Sequence, residues 1–558
     1  MKKNRAIRKR NQKVVEEKSS NFLVKNKYYI LLGLILAIIA IIRIRLLNIP
    51  LERDEGEYAY FGQLMLNGIP PFEAAYTMKF PGTHFIYAFF MLLFGQSVAG
   101  IHFGLLIINL VTSVLLFFIV KRLIGNTEAL VAAMVFGVLS LNDTILGFAG
   151  HATHFVTFAA LAGTLMLLKS FDKKKLYMYF ISGVFFGMAP VFKQGGIFFS
   201  AFGCLILIFH AVVENKRNFK QLFKNLGTFV AGGLLPISTV LLLLYISGVF
   251  DSFLFWTIDY PFAYGGQVPF DRGMRNLTKN LVYIVDGFTL LWIFAALGIP
   301  LLFFNASIRK NIFTGIFVFL FLVLSFLTIV PGLYFRPHYF ISLLPAVGIF
   351  AGIAAGSLAK LKIKGKASMG LQSFTVIIFL IIVGVGINKN SEYLFNEETN
   401  DISRRVYGLN PFVESEAIGD FIKRNTNEND KILVLGSEPQ IYFHADRVSA
   451  TGFIYMYPMM EDHEFNLSMQ EQLIGEAEEA DPDIVVIVDV NKSWLRKSKS
   501  PTKIFSWYYN KYSEKNYQLI GSVEIYSDAT LYKFTPVALQ DQPVSKYRVR
   551  ILKKRAEN

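Results

Sequence analysis

The sequence predicts a multi-span, all-α membrane protein with a small α/β domain at its carboxyl end. Three observations lead there. Of 558 residues, 53% are hydrophobic, only 17% are charged, and 54 are Phe, a composition unsuited to one soluble domain and suited to many membrane spans. Long apolar runs recur as far as residue 388. Beyond Asn388 the runs shorten and alternate with polar turns, as short strands and amphipathic helices do.

Residues 1–27 hold ten Lys/Arg against two Glu, the basic cytoplasmic flank expected before a first membrane helix. The net charge of +15 is therefore read as topology, and no nucleic-acid partner is expected. The apolar stretch Tyr28–Leu47 is long enough to span. No small-x-small cleavage site follows it, so it reads as a retained anchor. The single cysteine, Cys204, excludes an internal disulfide and a thiolate metal centre.

Apolar runs place about eleven spans, at 28–48, 98–120, 127–148, 152–169, 176–190, 192–213, 224–249, 282–304, 312–331, 338–359 and 370–388. His84–Phe94 is ambiguous, and positive charge arbitrates. Basic loops at Lys121-Arg122, Lys169 with Lys173–Lys175, Lys216-Arg217-Lys220-Lys224, Arg309-Lys310 and Lys360-Lys362-Lys364-Lys366 all fall on the cytoplasmic side only if that segment does not cross. It is read as re-entrant or juxtamembrane. The expected organisation is a basic cytoplasmic arm (1–27), a transmembrane domain (28–388) with a first outer loop at 49–97, an extracytoplasmic α/β domain (389–540) and a basic tail (541–558). The protein is expected in the cell (inner) membrane, amino terminus inside and carboxyl terminus outside, in contact with membrane lipids.

In the α/β domain, Lys431–Leu435 and Asp483–Val488 read as strands, Glu416–Arg424 and Gln470–Glu479 as helices, and Ser522–Phe534 as a hairpin. His444, Asp446, Arg447 and His463 read as structural or solvated, since no second histidine stands at a metal-ligand spacing.

The chemistry gathers in the first outer loop, which opens LERDEGEYAYFG and closes YTMKFPG. Glu52, Asp54, Glu55 and Glu57 follow the first span directly, and carboxylates at a membrane edge tend to be functional. On a helix Asp54 and Glu57 share a face, while Glu55 points elsewhere. Lys79, Lys193, Arg272 and Arg336 stand on the outer side, where topology does not require them. Snorkelling is the bland reading of each. Together with the carboxylates they suggest the lining of an anion-binding cavity. Cations of that kind bind and stabilise a developing phosphate charge, while Asp54 or Glu55 takes the proton of an attacking hydroxyl. Around another outer turn, Asn142, Asp143, His151 and His154 read either as sugar ligands or as hydrogen bonds between helix ends. The aromatic loop Phe253–Gly273, with Gly265-Gly266, reads either as an interfacial belt or as a mobile lid.

The segment RDEGEYAYFGQLMLNGIPPFEAAYTMKFPG resembles the first outer loop of GT-C glycosyltransferases that use polyprenyl-phosphate sugars. It is most similar to the branch holding protein O-mannosyltransferases and the lipid A aminoarabinose transferase. The family's acidic pair corresponds to Asp54-Glu55, and its Lys/Pro-Gly element to Lys79, Pro81 and Gly82. Tyr334–Pro345 (YFRPHYFISLLP) resembles its later Arg/His/Tyr motif. The resemblance implies a polyprenyl-phosphate sugar donor and inverting transfer to an acceptor hydroxyl on the outer face. Asp54 is then the favoured base with Glu55 in support, and Lys79, Lys193, Arg272 and Arg336 bind the donor phosphate. Glu57, Tyr58, His151, His338 and Tyr339 are further substrate-contacting candidates. The acceptor is left open among lipid, glycan and protein. No cofactor is expected; a divalent metal held by Asp54, Glu55 and Glu57 is the less favoured alternative. Two other classes share the spans: a transporter or flippase for a lipid-linked glycan, and a non-catalytic cell-envelope assembly protein. Transporters place ionisable groups near the midplane and show internal repeats, whereas here the charges gather at span ends. An assembly role leaves the Asp54–Lys79 constellation unexplained.

Overall fold

The computed structural model describes residues 2–214, 218–265, 268–360, 362–363, 366–367, 369–513, 515–540 and 544–555. Lys216, Arg217, Gly266 and Lys364, read above as basic-loop or lid residues, lie outside the described residues. The first nine helices are α1 (Lys2–Arg45), α2 (Arg53–Leu66), α3 (Gly82–Phe94), α4 (Val98–Leu123), α5 (Asn126–Leu139), α6 (Ala152–Lys173), α7 (Leu176–Phe192), α8 (Ile197–Glu214) and α9 (Phe219–Ile246). Apolar helices at Thr289–Leu301, Ile312–Leu327, Leu344–Ala359 and Met369–Lys389 complete a multi-pass membrane bundle.

Among the described residues, seven helices are long and apolar enough to cross a membrane, and a bent pair would make eight. Apart from 282–304, each of the expected spans falls on one of the seven or on the shorter apolar helices α5, α7 and Ile312–Leu327. The expected span 282–304 is corrected. Phe270–Val285 and Thr289–Leu301 meet at a bend of 113°, because Asp286 is extended and Gly287 takes φ 79°, a left-handed conformation that ends a helix.

Small residues let the bundle pack backbone to backbone. A side chain at Gly183 or Gly187 of α7 would strike the α9 carbonyls of Phe229 and Gly233. Gly348 and Gly352 bring Leu344–Ala359 onto the Ala132 and Glu128 carbonyls of α5 in the same way, and Gly356 leaves room for the Glu128 side chain.

Helix α3 lies along one face of the bundle. Its 13 residues extend about 20 Å, short of the roughly 30 Å hydrocarbon core. Its two ends are fixed by contacts to α7 and to α2. Thr83 donates to the Phe192 carbonyl (3.0 Å), and Gln96, just past the other end, accepts from Gln63 of α2 (3.3 Å). Phe85, Phe89, Leu92 and Leu93 form its exposed apolar edge.

The carboxyl-terminal domain holds a five-stranded sheet in the order Ile432–Leu435, Ile484–Asp489, Arg548–Lys554, Tyr517–Ile525, Thr530–Phe534. The first pair is parallel and the others antiparallel. The basic tail expected at 541–558 is therefore corrected: its Arg548–Lys554 segment is the central strand. Val549, Ile551 and Leu552 are buried in the sheet, while Arg548 and Arg550 donate to Asp489 at 2.9 and 2.8 Å. The charge that reads as a tail is one edge of an inward–outward alternation. The domain docks on α2 through the helix Pro439–Ala445. Tyr60 stacks on Tyr442 with ring centroids 5.1 Å apart, and its hydroxyl accepts from the Ser449 amide at 2.8 Å. At Gly56 a Cβ would come within 2.7 Å of the Gln440 backbone, so only glycine permits this approach.

Candidate active site

Helix α2 begins at the acidic cluster because Glu52 caps it. Glu52 Oε1 accepts from the amides of Asp54 (2.9 Å) and Glu55 (3.2 Å), satisfying two of the helix's unpaired donors. Burial, together with the charges of Asp54 and Glu55, pushes the Glu52 carboxyl up to about 8, so it holds its proton at neutral pH.

One turn of helix then sorts the remaining carboxylates. Asp54 and Glu57 both meet Lys79, whose ammonium donates to Asp54 Oδ1 at 2.8 Å and to Glu57 Oε2 at 2.6 Å. It also lies 4.4 Å from the centre of the Tyr58 ring. Glu57 is fully enclosed: Thr77 Oγ1 donates to it at 2.5 Å and His84 Nε2 stands 3.5 Å away. Tyr58 is buried beneath Lys79. Asp54 keeps 21% of its side chain exposed, against none for Glu55 or Glu57. Burial works to raise the Asp54 carboxyl, but the charge of Lys79 together with those of His338, His151 and Arg336 outweighs it and holds the group well below the usual carboxylate range.

Glu55 faces the opposite way. Its Oε1 lies 2.9 Å from His102 Nε2 and accepts from the Gly150 amide at 2.5 Å. His102 Nδ1 sits 2.8 Å from the Leu47 carbonyl, so the α4 histidine joins the exit of α1 to the start of α2. Gly150 belongs to the turn that delivers His151, and Glu55 thus fastens that turn beside Asp54.

His151 is buried, and among the described residues neither ring nitrogen has a hydrogen-bond partner. Nδ1 lies 3.8 Å from Glu52 Oε1 and 3.9 Å from Asp54 Oδ2. Burial lowers the imidazole to about 4, despite the pull of Asp54 and Glu55, and leaves it neutral at pH 7. The ring stacks on His338 with centroids 3.9 Å apart. Tyr339 continues this wall and carries the Lys193 ammonium 3.1 Å from its ring centre. Lys193 and Arg336 both lie within electrostatic reach of Asp54, and Arg336 is exposed beside Tyr334.

The structure therefore brings Asp54, Lys79, Lys193, Arg336, His151, His338 and Tyr339 to one place and redistributes several expected roles. Lys79 is the counterion of Asp54 and Glu57 and is not a bare phosphate ligand. Glu57, Tyr58 and Glu55 are sealed supports, because no surface of either carboxylate reaches solvent. Arg272 stands exposed on Phe270–Val285 and, among the described residues, makes no contact with the cluster. Its neighbour Gly273 packs against Leu333, which turns the Arg272 side chain outward. Asn142 and Asp143 serve structure: Asn142 Nδ2 donates to the Asp286 carbonyl (3.2 Å) and Asp143 accepts from Arg405 (2.6 Å). His154 bonds Asn109 at 3.1 Å. The carboxyl-terminal domain closes one side of the site with Tyr455 and Tyr457, residues that no local motif singles out.

The metal ligands expected from Asp54, Glu55 and Glu57 do not converge, since Glu55 and Glu57 point to different partners. A different trio does. Asp54, His151 and His338 each offer a ligand atom, and these atoms lie within 4.8 Å of one another. Two imidazoles with one carboxylate suit zinc or a similar transition ion better than magnesium or calcium.

With this geometry in view, comparison with known proteins identifies the class. Residues 78–243 match the family described as dolichyl-phosphate-mannose-protein mannosyltransferase. The fold is that of GT-C membrane glycosyltransferases, and the family match and the fold neighbours support a membrane glycosyltransferase. Its fold is similar to that of ArnT from Cupriavidus metallidurans bound to undecaprenyl phosphate, with a TM-score of 0.58 at 13% identity, over 94% of this chain and 98% of that one. It is similar also to the archaeal oligosaccharyltransferase AglB from Archaeoglobus fulgidus, in complex with an inhibitory peptide and a dolichol-phosphate. There the TM-score is 0.55 at 12% identity, over 94% of this chain and 75% of that one. No curated protein sequence matches the chain. The transporter and assembly alternatives are not favoured by these matches.

Proposed function

We propose that this glycosyltransferase moves a sugar from a polyprenyl-phosphate donor to an acceptor hydroxyl, with Asp54 as the base, at the extracytoplasmic face of the cell membrane. The observation that carries this reading is the position of Asp54. It is the most exposed of the four acids that open the first loop, Glu52, Asp54, Glu55 and Glu57, and it stands among Lys193, Arg336, His151 and His338. The lipid phosphates bound to the two structural relatives, undecaprenyl phosphate and dolichol-phosphate, support a lipid phosphate donor here. The ten basic residues ahead of the apolar part of α1 support a cytoplasmic amino terminus, with α2 and the carboxyl-terminal domain outside.

In this mechanism the acceptor oxygen attacks the anomeric carbon while the bond from that carbon to the phosphate oxygen breaks. The bonding pair leaves with the polyprenyl phosphate, and the hydroxyl proton passes to Asp54. The single displacement inverts the anomeric centre. A carboxylate held at low pKa is a weak base, yet it suffices, because the hydroxyl becomes strongly acidic as its oxygen bonds to an oxocarbenium-like carbon. Lys193 and Arg336 meet the charge that develops on the leaving phosphate. The acceptor is a lipid, glycan or protein hydroxyl. Transfer from a panel of radiolabelled polyprenyl-phosphate sugars tests the reading. Asp54→Asn is expected to lower turnover by about 10²–10⁴-fold while the donor still binds. Equal turnover in the variant would remove Asp54 from the chemistry.

We propose further that the reaction needs no resident metal, since Lys193 and Arg336 already supply positive charge for the phosphate. The Asp54–His151–His338 trio favours a second reading, in which a bound divalent ion supplies part of that charge. Dialysis against a chelator separates the two. Activity within about twofold of the untreated protein supports metal-free transfer, while a loss of tenfold or more that zinc or manganese restores supports the trio.

A further inference from the structure

We infer that Glu438 of the carboxyl-terminal domain is a positioning residue for the transfer reaction, holding Arg53 and through it the backbone that presents Asp54. The inference rests on the functional reading above and deepens it. It starts from a general property of α/β domains: the loops leaving the carboxyl ends of parallel strands form a crevice suited to a ligand. In this domain the parallel strands are Ile432–Leu435 and Ile484–Asp489. Their following loops carry Ser437-Glu438 and Ser493, and these interlock. The Ser437 amide donates to Ser493 Oγ (2.8 Å), Ser437 Oγ donates to the Ser493 carbonyl (2.5 Å), and Ser493 Oγ donates to Glu438 Oε2 (2.5 Å).

The occupant of that crevice is a residue of the membrane domain. Arg53 Nη2 donates to Glu438 Oε1 at 2.7 Å, Arg53 Nε donates to the Ser437 carbonyl, and Asn410 Oδ1 stands 3.3 Å from Nη2. The guanidinium lies 5.2 Å from the Phe412 ring centre and 5.3 Å from that of Tyr457. The Arg53 carbonyl accepts from the Tyr455 hydroxyl at 2.9 Å. One residue at the start of α2 is thus gripped by side chain and backbone, and the next residue is Asp54.

Glu438 is fully buried. A buried ion pair is costly to desolvate, and an apolar pair of similar size would glue two domains together at least as well. What the pair adds is direction: a carboxylate fixed by Ser493 and a fork-shaped guanidinium leave the start of α2 one position. Displacing a catalytic group by about 1 Å costs about 10²-fold in rate. Glu438 touches neither Asp54 nor the substrate space, so its effect is on placement alone.

The test uses the full chain in detergent with two variants, Glu438→Gln and the paired Arg53→Met/Glu438→Leu. The second keeps the contact apolar and filled if the first fails to fold. Readouts are thermal unfolding, turnover and KM with polyprenyl-phosphate sugars, and amide hydrogen exchange across residues 53–58. In variants that unfold at the wild-type temperature, turnover is expected to fall about 30-fold or more. Donor KM should stay within about threefold, and exchange in the first turn of α2 should quicken. Wild-type turnover in the folded paired variant, or unchanged exchange, overturns the inference. If the wild type turns over no donor at all, the functional reading fails by itself. Exchange then decides the positioning role alone: faster exchange upholds it and unchanged exchange ends it.

Discussion

Lys79 is where one side chain governs two carboxylates, so its removal distinguishes a counterion from a phosphate ligand. As the counterion of Asp54 and Glu57, its loss leaves two acids close together without compensation, and one of them must take up a proton. Lys79→Met is therefore expected to lower turnover by about 10²-fold with a small change in donor KM, measured in the same transfer assay. A phosphate ligand would show the reverse, a KM rise with turnover largely kept. The acidic cluster and the shared face of Asp54 and Glu57 were legible in the sequence, because both follow from helical period over a few residues. The enclosure of Glu55 and Glu57 was not. It depends on His102 from α4, Gly150 from the turn before α6, and Thr77 and His84 from the far end of the loop, and no local spacing encodes those meetings. Arg272 misled for the same reason: its charge is a local fact, while its direction is set by Gly273 against Leu333.

At the scale of elements, the long apolar runs were readable because twenty apolar residues in sequence have few other uses. The span at 282–304 hid its break in the single Asp286-Gly287 step, and for the short α3 only the charge of distant loops argues against a crossing. In the carboxyl-terminal domain, His444 illustrates how packing sets a titration. It sits on the helix Pro439–Ala445 against Gly419. Burial holds the imidazole down to about 4, with Asp420 pulling weakly upward. The unfolded chain binds a proton near the ordinary histidine value of about 6.5, so between those values the unfolded state holds more protons than the folded one. This domain's stability should then fall as pH drops from about 6.5 toward 4, and His444→Gln should flatten the fall. Thermal unfolding followed across that pH range checks it. An equal slope in the variant would assign acid sensitivity to other groups.

For the whole molecule, the decisive element is the strand formed by Arg548–Lys554. It is made last, yet it sits at the centre of the sheet. On one side it pairs with Ile484–Asp489, and on the other with Tyr517–Ile525. Sequence reading saw only its basic residues, because sheet order is a long-range property and the buried Val549 and Ile551 stand among arginines and lysines. The parallel pair that carries Glu438 and Ser493 leans on this strand, and α2 in turn leans on that pair. A chain of dependence thus runs from the last strand to Asp54 across the domain boundary. Ile551→Asp places an unpaired charge between Val486 and Gly521 in the sheet, at a cost of several kcal/mol, enough to unfold a domain of ordinary marginal stability. The expected outcome is rapid proteolysis of residues beyond 398, with the membrane bundle surviving in detergent, together with loss of sugar transfer. Survival of transfer in a protein whose carboxyl-terminal domain is digested would show that the bundle places Asp54 unaided. Loss of both, with the bundle intact, makes the domain part of the catalytic apparatus.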